Sequence, residues 1–275
     1  NHKPDLIWTK TRSVAYNHML SDSTRGFNAN SEIGANSDAA EGGLSADVYG
    51  YKSGHTSDGW TMVDGTDSVD NQEDGNTNQP SVTYVGWTWA ANGGTTSSNN
   101  DGDYTSTVQA NTTSGFSIVK YGDASSFSAS SPATVGHGLG STPKWILIKN
   151  LDGTRDWGVH HVSNGAGKII YLNLTNAVAN STGFDNGTLP SSSVFTVNTL
   201  NVANGNNLEY IAYCWAEIQG YSKFGSYTGN GSEDGPFVYL GFKPKWILFK
   251  NRDAAEEWVL QDTTRDTDNP ITKNF

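Results

Sequence analysis

The sequence predicts an all-β protein, built as tandem antiparallel β-sandwich repeats with few or no helices, and three observations carry that prediction. The first is composition. With 31 Gly in 275 residues, Ser, Thr and Asn abundant and only 16% charged side chains, the chain is the reverse of a helix former. The second is period: Tyr84-Val-Gly-Trp-Thr-Trp-Ala90 and Tyr210-Ile-Ala-Tyr-Cys-Trp-Ala216 place aromatic or β-branched residues on alternate positions, as a strand requires. The third is self-similarity over long distances, which is sought before any local reading.

Three segments align without gaps on a proline: Lys3-Pro-Asp-Leu-Ile-Trp-Thr-Lys10, Thr142-Pro-Lys-Trp-Ile-Leu-Ile-Lys149 and Lys243-Pro-Lys-Trp-Ile-Leu-Phe-Lys250. Fourteen residues after the prolines stand His18, Trp157 and Trp258, and four residues further on stand Asp22, His161 and Asp262. Asp22-Ser-Thr-Arg25 recurs as Asp262-Thr-Thr-Arg265, while the middle copy has His161 and Asn164 instead. A further block, Gly115-Phe-Ser-Ile-Val-Lys-Tyr-Gly122, matches Gly220-Tyr-Ser-Lys-Phe-Gly-Ser-Tyr227 with one insertion.

Ordering these blocks divides the chain. Residues 1–93 hold the later part of a first β unit, 94–114 a Gly/Ser/Asn-rich joint with a short strand near 104–108, 115–220 a complete central unit, and 221–275 the opening part of a third. On this reading the chain is a window on a longer tandem array. Within the central proline segment, Trp145, Leu147 and Lys149 fall on one face and Ile146, Ile148 and Asn150 on the other. Apolar residues on both faces predict a central strand, and Pro143, which donates no ladder hydrogen bond, suits its start. Trp145, Trp157, Trp246 and Trp258 recur in register and are expected in cores. Trp60 and Trp87, read as outside that register, are the candidates for exposed aromatic contacts, for instance stacking on sugar rings. One helical turn is predicted over Asp253-Ala-Ala-Glu-Glu-Trp258.

The formal charge of -11 argues against a nucleic-acid partner, because phosphate recognition needs a basic surface. The acidity is local, since residues 1–93 hold 5 basic and 12 acidic side chains. No run of about 18 apolar residues predicts a membrane-spanning helix. One cysteine, Cys214, forms neither an internal disulfide nor a multi-thiolate zinc site.

The sequence holds no nucleophile elbow, no phosphate loop and no dinucleotide fingerprint, and Gly136-His-Gly-Leu-Gly140 reads as a turn. No two glutamates are paired as a glycosidase requires. His160 and His161 are the strongest acid/base or metal pair, yet neighbours on a strand point to opposite faces, and a surface histidine is the preferred reading. Asp67, Asp70, Glu73 and Asp74, with Asp58 and Asp64 before them, form an oxygen-rich candidate calcium loop, and Asn99-Asn-Asp-Gly-Asp103 is a second; a solvated turn is the preferred reading of both. No cofactor and no catalytic residue is assigned.

At Gly115-Phe-Ser-Ile-Val, Gly136-His-Gly-Leu-Gly-Ser-Thr-Pro-Lys-Trp-Ile-Leu-Ile-Lys-Asn150, Tyr210-Ile-Ala-Tyr-Cys-Trp-Ala-Glu217 and Gly220-Tyr-Ser-Lys-Phe-Gly-Ser-Tyr-Thr-Gly-Asn-Gly231 the chain resembles the repeated β-domains of large, uncharacterised structural proteins of marine bacteriophages, of the cyanophage and pelagiphage type. The resemblance is strong from Thr105 to Asp266 and weaker before Asn92. It implies a non-enzymatic virion component, a tail-fibre-like or capsid-decorating appendage at the particle surface. Its expected partners are other virion proteins, further copies of itself and a host-surface glycan. The alternative from the binding class is a carbohydrate-binding β-sandwich array of a secreted bacterial protein. A glycan depolymerase is the third reading.

Overall fold

The structure is a computed structural model that describes residues 2–66 and 77–266. Its first third runs β1 (Leu6–Thr11), β2 (Met19–Asp22), β3 (Ile33–Gly34), α1 (Ala46–Tyr49), β4 (Tyr51–His55), β5 (Trp60–Val63) and β6 (Tyr84–Trp89), with a 3-10 turn at Ala29–Ser31. These strands form a four-stranded sheet of order β3-β2-β1-β6 and a separate hairpin, β4-β5. The central part runs β7 (Ser97–Asn99), β8 (Ser106–Asn111), β9 (Phe116–Gly122), β10 (Ala133–Gly136), β11 (Pro143–Asn150), β12 (Gly158–His161), β13 (Lys168–Tyr171), β14 (Ala179–Asn180), α2 (Thr182–Asp185), β15 (Val194–Val197) and β16 (Glu209–Ala216). Its main sheet has eight strands, β14-β13-β12-β11-β16-β9-β8-β7, and β10-β15 form a small sheet of their own. The last part is one hairpin, β17 (Trp246–Lys250) and β18 (Trp258–Asp262).

All these strand pairings are antiparallel, and the two α-helices are four residues each, so the chain is β-rich as its composition and alternation predict. No helix among the described residues is long and apolar enough to cross a membrane. The expected helical turn before Trp258 is absent. There the Asn251 side chain accepts from the N–H groups of Asp253 and Ala254, and this local turn competes with helix formation.

The three proline segments each open a hairpin of one common register. Leu6 faces Asp22, Trp145 faces His161 and Trp246 faces Asp262, so the residue two after the proline always meets the residue eighteen after it. The flanking strand is also shared between two of them: Leu6 pairs with Trp89 on β6, and Trp145 pairs with Trp215 on β16. Pro143 starts β11, where its missing N–H leaves no gap in the ladder.

The hairpins do not fold as beads on a string. One apolar core takes in Leu6 and Trp8 of the first, Trp145 and Trp157 of the second and Leu260 of the third, with Trp89 and Trp246 packed against it. Trp145 stacks on Trp215 at 4.3 Å between ring centroids, and Trp89 meets Trp246 edge-on at 5.7 Å. A second core lies on the other face of the central sheet, between it and β10-β15, and holds Val119, Ile146, Ile148, Phe195 and Tyr210. Apolar residues on both faces of β11 are thus each matched by a core.

Residues 94–114, expected as a joint, are built into the fold. β7 and β8 extend the central sheet, and Gln109 on β8 accepts from the Gly94 N–H at 2.9 Å and donates to the Thr24 hydroxyl at 2.8 Å. Their Ser and Asn content belongs to an edge strand with solvent beside it, which sequence composition does not separate from a linker.

Candidate functional site

The contacts between hairpins repeat from one pair to the next. Trp157 of the second hairpin donates its indole N–H to the Gly34 carbonyl of the first at 2.8 Å; Trp258 of the third donates to the Tyr171 carbonyl of the second at 2.9 Å. Gly34 faces Met19 on β2 and Tyr171 faces Gly158 on β12, each fifteen residues after its proline, so donors and acceptors occupy matching places. Lys149 Nζ reaches the Asp38 carbonyl at 3.1 Å and Lys250 Nζ the Thr175 carbonyl at 3.0 Å. Finally, the Glu41 N–H donates to Leu151 O, and the Val178 N–H to Arg252 O, both at 2.9 Å.

The Asp-x-x-Arg turns serve the same assembly. Asp22 accepts from the Thr24 and Arg25 N–H groups, ion-pairs with Arg25 Nε at 2.6 Å and accepts from the Tyr213 hydroxyl at 2.7 Å. Asp262 builds the same turn with Thr264 and Arg265, and the Arg265 guanidinium lies 5.8 Å from the centroid of the Trp87 ring. In the middle copy His161 Nδ1 accepts from the Ser163 N–H at 3.2 Å, so the turn survives without the ion pair.

Between the loops of the first two hairpins lies a polar hollow of about 560 Å³. Two equivalent amide staples form its sides. Asn36 accepts from the His18 N–H and donates to Asn17, while Asn173 accepts from the Trp157 N–H and donates to Asp156. Asp38, Ser45 and Tyr49 complete the wall, with Ser45 held in the left-handed region at φ 50°. Beneath it Lys149 is buried; burial lowers its pKa to about 8 even though Asp38 and Asp156 act the other way. Carboxylate, amide and hydroxyl groups of this kind suit a neutral, hydroxyl-rich ligand. Among the described residues the lining contains no Ser, Cys or Lys nucleophile hydrogen-bonded to a base.

A family model described as a domain of unknown function (DUF7483) matches residues 1–275. The chain belongs to that family. No curated protein and no solved structure matches it. Nothing in the DUF7483 match assigns a residue a role, so the geometry alone places the sequence candidates.

Trp87 is not an exposed contact. It faces Trp8 across the β1-β6 pair as Tyr213 faces Leu147, so it lies inside the repeated register and packs against the shared core. Trp60 is half-buried, and its indole lies on the β6 backbone at Gly86, where an added Cβ would sit 3.0 Å from the ring. Trp145 and Trp157 are buried as expected, while Trp246 and Trp258 are half-buried. Asp67, Asp70, Glu73 and Asp74 lie outside the described residues. In the second acidic loop Asp103 accepts from both Thr134 N–H and Thr134 hydroxyl, and Asp101 accepts from Asn99. Asp103 thus ties the loop to β10, and Asp101 is engaged within the loop. Among the described residues no group of three or more His, Cys, Asp and Glu is placed to hold a metal ion.

His160 and His161 occupy opposite faces of β12 as predicted, but His160 is buried and not at the surface, because its face of the strand borders the second core; half-buried His161 meets Phe224 on the other side. Burial, with His161 adding to it, pushes the His160 imidazole down to about 4, and burial pushes His18 to about 3. Unfolded histidines titrate near 6.5, so between pH 6.5 and 4 the unfolded state takes up protons that the native state refuses. Stability should therefore fall as pH drops through that window. Urea unfolding at pH 7 and pH 4.5 measures the loss, and His160→Gln should make it smaller.

Proposed function

We propose that this chain is a non-enzymatic structural component of a phage virion, a segment of a tail-fibre-like or capsid-decorating appendage. Other virion proteins and further copies of the chain are its partners, and it touches the host surface. The observation that carries this reading is the repeated handle between hairpins, Trp157 on Gly34 and Trp258 on Tyr171. One contact used twice in succession, on a core that all three hairpins share, makes a single rigid β body suited to a structural part. The sequence resemblance to phage structural β-domains supports the virion setting. Negative-stain microscopy of phage particles that encode the chain, labelled with antibody against it, tests the reading. Label on tail or capsid is expected; particles without label, while the protein is present elsewhere in the lysate, would refute it.

A carbohydrate-binding role is the second reading, and the polar hollow between Asn36 and Asn173 is what favours it. Glycan-array binding by the whole chain, lost on Tyr49→Ala, would establish it.

A further inference from the structure

Two of the three hairpins have an occupied outer edge. On β1 the edge away from β2 carries β6, which pairs Leu6 with Trp89, Trp8 with Trp87 and Lys10 with Val85. On β11 the same edge carries β16, which pairs Trp145 with Trp215, Leu147 with Tyr213 and Lys149 with Ile211. On β17, among the described residues, that edge carries no strand, and β18 is its one partner.

The third hairpin is also the less covered one. Ile247 is 36% exposed where its counterparts Ile7 and Ile146 are 0% and 1%, Ile146 lying under the second core. The Trp246 indole N–H, like that of Trp215, is buried without a hydrogen-bond partner. Before β17, Tyr227, Phe237, Val238 and Tyr239 are exposed, between 43% and 89%. An edge of this kind presents unpaired N–H and C=O groups to any extended chain that fits beside it.

What fits is specified by continuity with the core. Trp246 already lies against Trp89 and Trp145, so a side chain opposite Trp246 enters the same aromatic cluster that Trp89 and Trp215 occupy. Both existing edge strands place small residues, Gly86 and Ala212, opposite Thr9 and Ile148; the third hairpin has the larger Phe249 at that place. One side chain already stands near the vacant register. The central aromatic of β16, Tyr213, touches Asp22, and that of β6, Trp87, lies under Arg265. At the matching place on the middle hairpin, His161 meets Phe224, which belongs to no strand.

We propose that the outer edge of β17 is a strand-docking site. Its ligand is an extended peptide segment that enters antiparallel, with aromatic residues on alternate positions and Trp-Ala at its end: Trp opposite Trp246, an aromatic opposite Leu248 and a β-branched residue opposite Lys250. Phe224 holds the place of the central aromatic until the peptide displaces it.

The probe is a synthetic peptide of residues 83–91, blocked at both ends and flanked by lysines for solubility, added to the full chain. Amide hydrogen exchange of residues 246–250 should slow by about tenfold or more, and a scrambled peptide of the same composition should leave it unchanged. Phe224→Ala should tighten the peptide several-fold. The proposal is overturned if exchange at 246–250 does not change, if the scrambled peptide slows it equally, or if protection appears elsewhere. It is likewise overturned if exchange there is already slow without peptide and speeds up on dilution, since the occupant is then a second copy of the chain.

Discussion

Trp157→Ala is expected to bring the protein close to unfolding at room temperature. The indole is fully buried, lies nearly parallel to the Tyr213 ring at 6.3 Å and donates to the Gly34 carbonyl. Truncating a buried aromatic costs about 3–5 kcal/mol, and the orphaned carbonyl adds about 1–3. Domains are commonly stable by only about 5–15 kcal/mol, so a loss of this size is decisive. Urea unfolding followed by tryptophan fluorescence measures it. Trp157→Phe keeps most of the apolar bulk and loses the hydrogen bond, so its cost should be the smaller. Trp258→Ala removes the matching handle from a half-buried site and should cost less than Trp157→Ala.

Breaking the Asp22–Arg25 pair should cost almost as much. Both side chains are at most 1% exposed, and the pair also holds Tyr213 and Glu41. Burial alone would lower the Arg25 pKa; Asp22, Tyr213 and Glu41 together raise it above the ordinary value, so the guanidinium is charged in the native state. Arg25→Met leaves a buried carboxylate without its cation, for an expected loss of about 3–5 kcal/mol. Asp22→Asn leaves the cation instead and should destabilise to a similar extent. The double variant Asp22→Asn/Arg25→Met should lose less than the sum, and a double-mutant cycle in urea gives the coupling directly.

Much of the local architecture was legible in the sequence because strand chemistry leaves a periodic trace. Alternation identified β6 and β16, and the aligned prolines gave the three hairpins together with their common register. Contacts between hairpins leave no such trace. Nothing in the residue types links Trp157 to Gly34, since sequence gives no distance and does not say which carbonyl an indole meets. Trp87 aligns with Tyr213 in the segments Tyr84–Ala90 and Tyr210–Ala216, and its pairing with Trp8 shows that this alignment, not exposure, sets its place. The Ser/Asn run at 97–99 reads as a joint in the sequence because edge strands and linkers share a polar composition. In the candidate site the sequence marked neither Asn36 nor Asn173, whose role is to staple a turn through a side-chain amide. Asparagine at a turn is too common to stand out.

Three hairpins of one register that share a core should open as one body, where independent repeats would open separately. Native-state hydrogen exchange across a urea series tests it most directly. Residues 6–22, 143–161 and 246–262 should lose protection with the same midpoint and the same urea dependence. Three separate midpoints, with the third hairpin opening while the first two stay protected, would contradict it.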